Sequence, residues 1–289
     1  MAEQSDDRPP ILGDGYHVVD LTVLLAEDLP SYWPAHLPFQ HKVWNWFGAE
    51  SHPAGSLQSR SGAYATKWMA IDEHTGTHMD APSHFIPPPG SGYEFAGALG
   101  GVSVEQIPVE TTMGAAAVLD IAALSDQEQT PGLSPLLTAA GVEAWEAVHG
   151  RLTAGDIVLI HTGWDRWYVR GPGASGYAAD VLAGHKPGWP APDGAAIRLM
   201  VDRGVRCIGI DAPTMGPAQG GQDVHVAGLG AGAVFIECLA HLEQLPPRGA
   251  WFCFLPIRLE GGTGAPGRAV AWVPCDRQQP SPGREASSA

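Results

Sequence analysis

Short apolar runs, separated by glycine, proline and aspartate, restrict the fold of this chain more than any other feature of its sequence. Seven of these runs are β-branched or apolar and have the length of strands. They span residues 17–25, 115–121, 156–162, 205–211, 233–238, 251–257 and 268–273. Many strands with few helices indicate a mixed α/β fold of the α+β kind, and not a regular doubly wound sheet.

Two predicted helices and two long loops interrupt the strand pattern. One helix is expected over residues 138–148, after a threonine cap, and the other over residues 195–203, with Asp193 as its cap. Residues 86–101 and 171–192 are dense in glycine and proline. Loops of this length often shape a pocket or reach a neighbouring subunit, and we expect that role here.

The two ends of the chain have a different composition from the rest. Residues 1–14 and 276–289 are polar and rich in proline, serine and charge. Such segments bury too little apolar area to remain ordered on their own, so both are predicted to be disordered tails. Residues 15–275 are then expected to form one domain.

The net charge and the cysteine content indicate which binding partners are unfavourable and in which cell compartment the protein works. The formal net charge is −15, and nucleic acid or an anionic membrane surface would repel so acidic a protein. Neither a secretory signal nor a membrane-spanning stretch is recognisable. The four cysteines are scattered without a C-x-x-C pair, which favours a reducing compartment, the cytoplasm.

The residues that could bind a metal or catalyse a reaction are concentrated in the segment DEHTGTHMDAPSHF, residues 72–85. His74, His78, Asp80 and His84 fall within eleven residues, and all four are types that bind or assist a divalent metal. Threonines, a glycine and a nearby proline disfavour a helix, so an extended, turning segment is predicted. By the period of two, His78 and Asp80 then point to the same side, and the glycine lets the backbone bend so that His74 joins them.

Two acidic neighbours and one distant pair accompany this segment. Asp72 and Glu73 are predicted to be solvated loop charges, with orientation of a ligand imidazole as the alternative. His225 and Glu237, twelve positions apart, reach one site only if the chain folds back between them.

Three motifs of other functional classes are missing from the sequence. The glycines between His225 and Glu237 lack the G-x-G-x-x-G spacing of a nucleotide-binding loop. Neither the G-x-S-x-G motif of serine hydrolases nor the H-E-x-x-H motif of thermolysin-like enzymes occurs, so none of these three functions has support.

Residues 74–85, HTGTHMDAPSHF, resemble the signature H-x-G-T-H-x-D-x-P-x-H-F of the cyclase family of metal-dependent hydrolases. This family includes bacterial kynurenine formamidases and isatin hydrolases. The similarity continues through GDIVLIHTGW (155–164), GVRCIGIDAPT (204–214) and LEGGTGAPGRAVA (259–271). It implies a swivelling β/β/α domain that forms homodimers or homotetramers, in which loops of one subunit line the pocket of another. The insert near residues 51–61 is closer to the isatin-hydrolase members.

The resemblance also implies roles for individual residues. His74, His78 and Asp80 match the first metal ligands, with Asp80 as the bridging carboxylate of a dinuclear site. His225 and Glu237 match the two further ligands of such a site. His84 matches the catalytic histidine. The donor set suits zinc or manganese, and the sequence leaves open whether one ion or two are bound.

The implied reaction is hydrolysis of a C–N bond in a small aromatic substrate, an aryl formamide or an isatin-like lactam, by metal-activated water. His84, with an ordinary pKa of about 6.5, suits the transfer of a proton to the departing nitrogen. Since the chain has ten tryptophans, an aromatic pocket wall is predicted. Its candidates are Trp44, Trp46, Phe47, Phe95 and Trp164. Two alternatives remain open: a metal-dependent cyclase or dehydratase of secondary metabolism, and a non-catalytic metal-binding scaffold.

Overall fold

The computed structural model describes residues 15–52, 55–127 and 129–275. Their strands are β1 (Tyr16–Asp20), β2 (Gln40–Asn45), β3 (Glu50–His52), β4 (Gly55–Leu57), β5 (Thr66–Ala70), β6 (His78–Asp80), β7 (Met113–Asp120), β8 (Leu136–Leu137), β9 (Asp156–His161), β10 (Ala191–Pro192), β11 (Cys207–Ile210), β12 (Val234–Glu237), β13 (Arg248–Pro256) and β14 (Gly264–Pro274). Their α-helices are α1 (Ala139–His149), α2 (Ala179–Leu182), α3 (Gly194–Asp202) and α4 (Gln222–Leu229). The tails predicted for residues 1–14 and 276–289 lie outside the described residues.

One sheet organises the fold. Its strands follow the order β1-β14-β13-β7-β9-β11-β12-β6, and β6 also pairs with β14, so seven of the strands close into a barrel-like ring. The consecutive pairs from β7 through β9 and β11 to β12 are parallel. The remaining pairs of this sheet are antiparallel. The predicted mixed α/β fold class is confirmed, and each predicted apolar run overlaps one strand of the sheet.

The strands of the ring bury residues on both sides, because alternate side chains point to opposite faces of a sheet. The inner side holds one apolar cluster with members from all seven ring strands, among them Met79, Leu159 and Phe254. The outer side carries a second cluster, which includes Val158 and Ile160 and packs against the helices. Strand β9 is apolar almost throughout, as expected of a parallel strand that is buried on both faces.

Each of the two helices that the sequence predicted has a side-chain cap at its N-terminus. The N–H of Gly141 donates to Thr138 Oγ1 (3.4 Å) at α1, and the N–H of Ala196 donates to Asp193 Oδ1 (2.7 Å) at α3. A cap of this kind stabilises a helix by about 1 kcal/mol. Helix α4, which has glycine at its end and no strong apolar stripe, was not predicted. In the described part of the chain, no helix has the length and apolar character needed to span a bilayer.

The short strand β6 determines where the polar residues of the site point. Met79 belongs to the inner cluster of the ring. His78 and Asp80, on either side of it, therefore point outward, as the period of two predicted. Strand β12 places Glu237 opposite His78 in antiparallel register. Helix α4 packs near β12 and carries the buried His225, so residues far apart in sequence meet on the outer side of the ring.

Candidate metal centre and active site

Asp80 lies between two groups of side chains that could hold metal ions. Its Oδ1 lies 2.8 Å from His74 Nδ1 and 3.4 Å from His78 Nε2. Its Oδ2 lies 3.8 Å from His225 Nε2, which is in turn 3.3 Å from Glu237 Oε1. Within each group of three the ligating atoms lie within 4.8 Å of one another, and Asp80 belongs to both groups. The structure thus brings together all five residues that the sequence analysis named as ligands.

Backbone carbonyls orient two of the imidazole rings. His78 Nδ1 donates to the carbonyl of Gly76, and His225 Nδ1 donates to the carbonyl of Gly221, both at 2.7 Å. Because a carbonyl oxygen can only accept, each neutral ring holds its proton at Nδ1 and presents the lone pair of Nε2 to the carboxylates. Gly76 adopts a φ of 62°, a left-handed conformation that favours glycine and turns the chain between His74 and His78.

A divalent metal ion fits this centre. Asp80 Oδ2 is buried and has no hydrogen-bond partner among the described residues, which is a costly state for a carboxylate oxygen unless a cation compensates it. Burial opposes the charged form of His78, but the carboxylates of Asp80 and Glu237 outweigh burial and raise the pKa of His78 well above its ordinary value. The centre therefore attracts positive charge, and its imidazole and carboxylate donors are typical ligands of divalent metals.

Glu73 and Asp72 hold the loop that carries the ligands. Glu73 Oε2 accepts hydrogen bonds from the N–H of Thr263 (2.7 Å), the hydroxyl of Thr263 (2.8 Å) and the N–H of Gly264 (3.2 Å). Asp72 Oδ1 accepts from the N–H of His74 at 2.9 Å. The prediction that both acids are solvated loop charges is wrong, because their carboxylates fix the backbone around the site. The alternative, that they help to orient a ligand, agrees with these contacts.

His84 lies beside the metal-ligand candidates and belongs to neither group. It ends the short 3₁₀ helix Pro82–His84, and its ring centroid is 4.0 Å from that of His74 and 6.4 Å from that of His225. Burial, together with the neighbouring imidazoles, lowers the pKa of His84 to about 4, although Asp80 opposes this shift. The ring is therefore neutral at pH 7, with one nitrogen free to accept a proton, but it is a weaker base than the ordinary imidazole that the sequence analysis assumed.

A cavity of about 240 Å³ opens next to these side chains. Ligand pockets usually measure about 300–1,000 Å³, so this one suits a small molecule. The histidines and glutamate of the site share the cavity lining with aromatic residues that the sequence analysis did not single out. These are Tyr32, Trp33, Phe85 and Tyr177. Phe85 also stacks on the ring of His225, with centroids 4.1 Å apart, and so supports that ring.

The five aromatic residues predicted for the pocket wall lie elsewhere. Trp44, Phe47 and Phe95 are exposed. Trp46 lies between β2 and β3, where its indole N–H donates to the Glu50 carboxylate. Trp164 is buried in the core, where its ring packs edge to face against Trp189. The wall of this cavity is formed by other aromatics than predicted, because their places depend on how the loops fold over the site and not on any local pattern.

A buried set of imidazole and carboxylate donors, next to a small aromatic cavity and a neutral histidine, is the arrangement that metal-dependent hydrolases use. The comparison with known families agrees. The Cyclase family model matches residues 19–217, and the chain belongs to this family.

Individual relatives cover nearly the whole chain. An isatin hydrolase of Roseibium aggregatum is 33% identical over 267 residues, which are 91% of this chain and 94% of the relative. A kynurenine formamidase of Salinibacter ruber is 26% identical over 245 residues, 82% of this chain and 89% of the relative. The crystal structure of an isatin hydrolase bound to the product analogue thioisatinate superimposes with a TM-score of 0.71 at 26% identity, over 90% of this chain and 94% of that one.

Proposed function

We propose that this protein hydrolyses the C–N bond of an aryl formamide or of an activated cyclic amide such as isatin. The observation that carries the proposal is the carboxylate of Asp80, shared by two groups of ligating atoms, with His84 beside them in neither group. The activities named for the relatives, isatin hydrolase and kynurenine formamidase, support a C–N bond as the one that is cleaved.

His74, His78 and Asp80 would hold one ion, and Asp80, His225 and Glu237 would hold a second. Zinc and manganese are the candidates, because zinc favours imidazole and carboxylate donors and manganese accepts added carboxylate and water. When bound, the metal supplies a nucleophilic water near neutral pH and polarises the carbonyl of the substrate.

We assign proton transfer to His84. Its neutral ring lines the cavity, where it can accept a proton from the attacking water and pass it to the departing nitrogen. Without that proton the aryl amine would have to leave as a strongly basic anilide anion. Trp33 and Phe85 line the same cavity and would pack against the aromatic ring of the substrate, which aligns the scissile bond with His84.

The experiment that tests the proposal is an assay of the purified protein, loaded with zinc or manganese, on isatin and on formanilide. We expect ring opening or formate release that a chelator abolishes and added metal restores. His185→Ala, which removes an exposed histidine outside the site, serves as the matched control and should retain activity. Absence of hydrolysis on both substrates, or activity that is indifferent to metal, contradicts the proposal. An elimination or ring-closing product would favour the cyclase or dehydratase alternative.

The same proposal includes assembly into a homodimer or homotetramer in the cytoplasm. Trp44 and Phe47 are 52% and 58% exposed, and exposed large aromatics are typical of subunit interfaces. All four cysteines are free thiols, which supports a reducing compartment. Light scattering coupled to size-exclusion chromatography tests the assembly, and a monomer at micromolar concentration would contradict it.

A further inference from the structure

The hydroxyl of Thr214 lies between two of the metal-ligand candidates. Its Oγ1 is 3.1 Å from Glu237 Oε1 and 3.4 Å from His225 Nε2. The side chain also lines the cavity that contains His84. Because threonine is not among the usual protein ligands of zinc, we expect the hydroxyl to act through Glu237 or His225 and not on an ion directly.

The direction of the hydrogen bond follows from the two possible acceptors. A hydroxyl has one proton, which it can donate to only one of them at a time. His225 holds its own proton on Nδ1, where the carbonyl of Gly221 accepts it at 2.7 Å, so its Nε2 could accept as well as the carboxylate. The carboxylate is nearer and carries the negative charge, which makes it the stronger acceptor. Thr214 therefore donates to Glu237.

A second donor holds the same oxygen of Glu237. The N–H of Met215 donates to Oε1 at 2.6 Å, so Oε1 accepts two hydrogen bonds from adjacent residues. Each carboxylate oxygen has about two lone pairs, and both of those on Oε1 are then occupied. The other oxygen, Oε2, lies 3.6 Å from His78 Nε2 and remains available to an ion. The two donors thus fix the rotation of the carboxylate that presents Oε2 to the centre.

The surrounding fold fixes the backbone that carries these two donors. Their segment leaves the end of β11 and runs beside the end of β12, where the N–H of Cys238 donates to the carbonyl of Ala212 at 3.0 Å. The indole N–H of Trp189 donates to the carbonyl of Gly216 at 2.9 Å. Gly216 leaves no room for a side chain, since an added Cβ would overlap Gly221. The donors are therefore held in position before an ion arrives.

We propose that Thr214 is a positioning residue, whose hydroxyl orients the Glu237 carboxylate for the ion held by Asp80, His225 and Glu237. The inference rests on the metal centre of the proposed function. Groups that orient a metal ligand typically contribute about 10–100-fold to metal affinity. Loss of the hydroxyl should weaken the binding of this ion alone, because Glu237 and His225, the two ligand candidates that it contacts, belong only to that group.

Titration of the metal-free protein with zinc, in the presence of a competing chelator dye, measures the affinity for each ion without any substrate. Thr214→Val keeps the shape of the side chain and removes the hydroxyl. We expect this variant to bind one zinc ion as the wild type does and the other about 10–100-fold more weakly. Thr214→Ser loses a methyl group but keeps the donor, so it should retain both wild-type affinities, which a role in packing alone would not explain.

Thr112→Val is the matched control, because it removes a buried hydroxyl outside the site. That hydroxyl donates to the carbonyls of Val109 (3.0 Å) and Phe254 (2.7 Å) and does not line the cavity. The control should have a lower melting temperature and unchanged affinities for both zinc ions. Thermal unfolding of the metal-free variants shows whether each is folded. If Thr214→Val is not folded, Thr214→Ala takes its place in the titration.

The outcomes separate the positioning role from the proposed function. Equal zinc affinities in the wild type and in the folded hydroxyl-free variant overturn the positioning role. A wild type that binds fewer than two zinc ions also overturns it, and hydrolysis of isatin or formanilide by that protein would leave the proposed function standing. If the wild type hydrolyses neither substrate but loss of the Thr214 hydroxyl weakens one of two zinc ions, the proposed function fails and the positioning role stands.

Discussion

The Oδ2 atom of Asp80 lies 3.8 Å from Nε2 of His225, while the other oxygen of the same carboxylate faces His74 and His78. One carboxylate thus joins a ligand group from one continuous segment, residues 74–80, to a group from a helix and a strand far along the chain. Substitution of a residue that both groups share should weaken metal binding at both groups. Substitution of a residue that belongs to one group should weaken metal binding at that group alone.

This difference gives the first prediction. Asp80→Asn should lose nearly all bound metal and all activity, whereas Glu237→Gln should lose about one equivalent and retain the ion held by His74 and His78. Elemental analysis of protein purified without chelator measures both. Metal loss should also lower the melting temperature, since an ion that binds only the folded state stabilises it. Unchanged stoichiometry and activity in Glu237→Gln would show that the centre is mononuclear.

The second prediction concerns Gly264, which leaves room for the ring of His74. A Cβ atom at Gly264 would lie 2.5 Å from His74 Cε1 and 2.8 Å from its Nδ1, closer than real contacts allow. Gly264→Ala should therefore displace the ring and weaken metal binding by about 10–100-fold, the usual effect of disturbing a group that orients a ligand. Gly101→Ala is the control, since its added methyl group meets nothing within 4 Å. Equal metal affinities in the two variants would contradict this account.

The sequence predicted the first half of the site because its donors lie in one continuous segment. The alternation of His78 and Asp80 about Met79 follows from local backbone geometry, and the structure shows it. The pairing of His225 with Glu237 could not be predicted from the residues alone. It depends on the long-range register of β12 against β6 and on a helix with little periodic signal.

The wall of the cavity was the least predictable part of the site. Trp33 lies in an irregular segment between β1 and β2, and Tyr177 lies in the glycine- and proline-rich region that was predicted to be a long loop. Neither helix nor strand periodicity determines where such side chains point. The prediction that residues 171–192 shape a pocket agrees with the position of Tyr177. Trp44 and Phe47 are exposed, because an aromatic ring alone does not determine that a side chain lines the cavity.

The third prediction is a pH effect on stability from Asp211, which is fully buried. Burial raises the pKa of this carboxyl from 3.8 to about 6, although Thr162 and Gly163 donate hydrogen bonds to it. The folded state then binds the proton more tightly than the unfolded state does. The stabilisation is therefore present below about pH 4 and is lost as the pH rises to about 6. A shift of about 2 pKa units corresponds to roughly 3 kcal/mol.

Urea unfolding of the wild type and of Asp211→Asn at pH 4 and pH 7, both with chelator, measures this effect. The amide cannot titrate, so the wild-type free energy of unfolding minus that of the variant should fall by about 2–3 kcal/mol between the two pH values. A difference that is the same at both pH values would show that the fold does not raise the pKa of Asp211.

The last prediction separates a proton-transfer residue from a metal ligand. His84 belongs to neither group of ligating atoms, and its ring lies 4.0 Å from that of His74 on the wall of the cavity. His84→Ala should therefore keep its metal and its fold but lose about 10²–10⁴-fold in turnover of an aryl formamide or isatin, the usual effect of removing a general acid–base group. His78→Ala, which removes a ligand candidate, should lose metal and turnover together. On para-nitrophenyl acetate, whose leaving group departs without a proton, the loss in His84→Ala should be smaller, because only the activation of water is affected. A metal-free His84→Ala variant, or one with the wild-type rate, would show that His84 does not have this role.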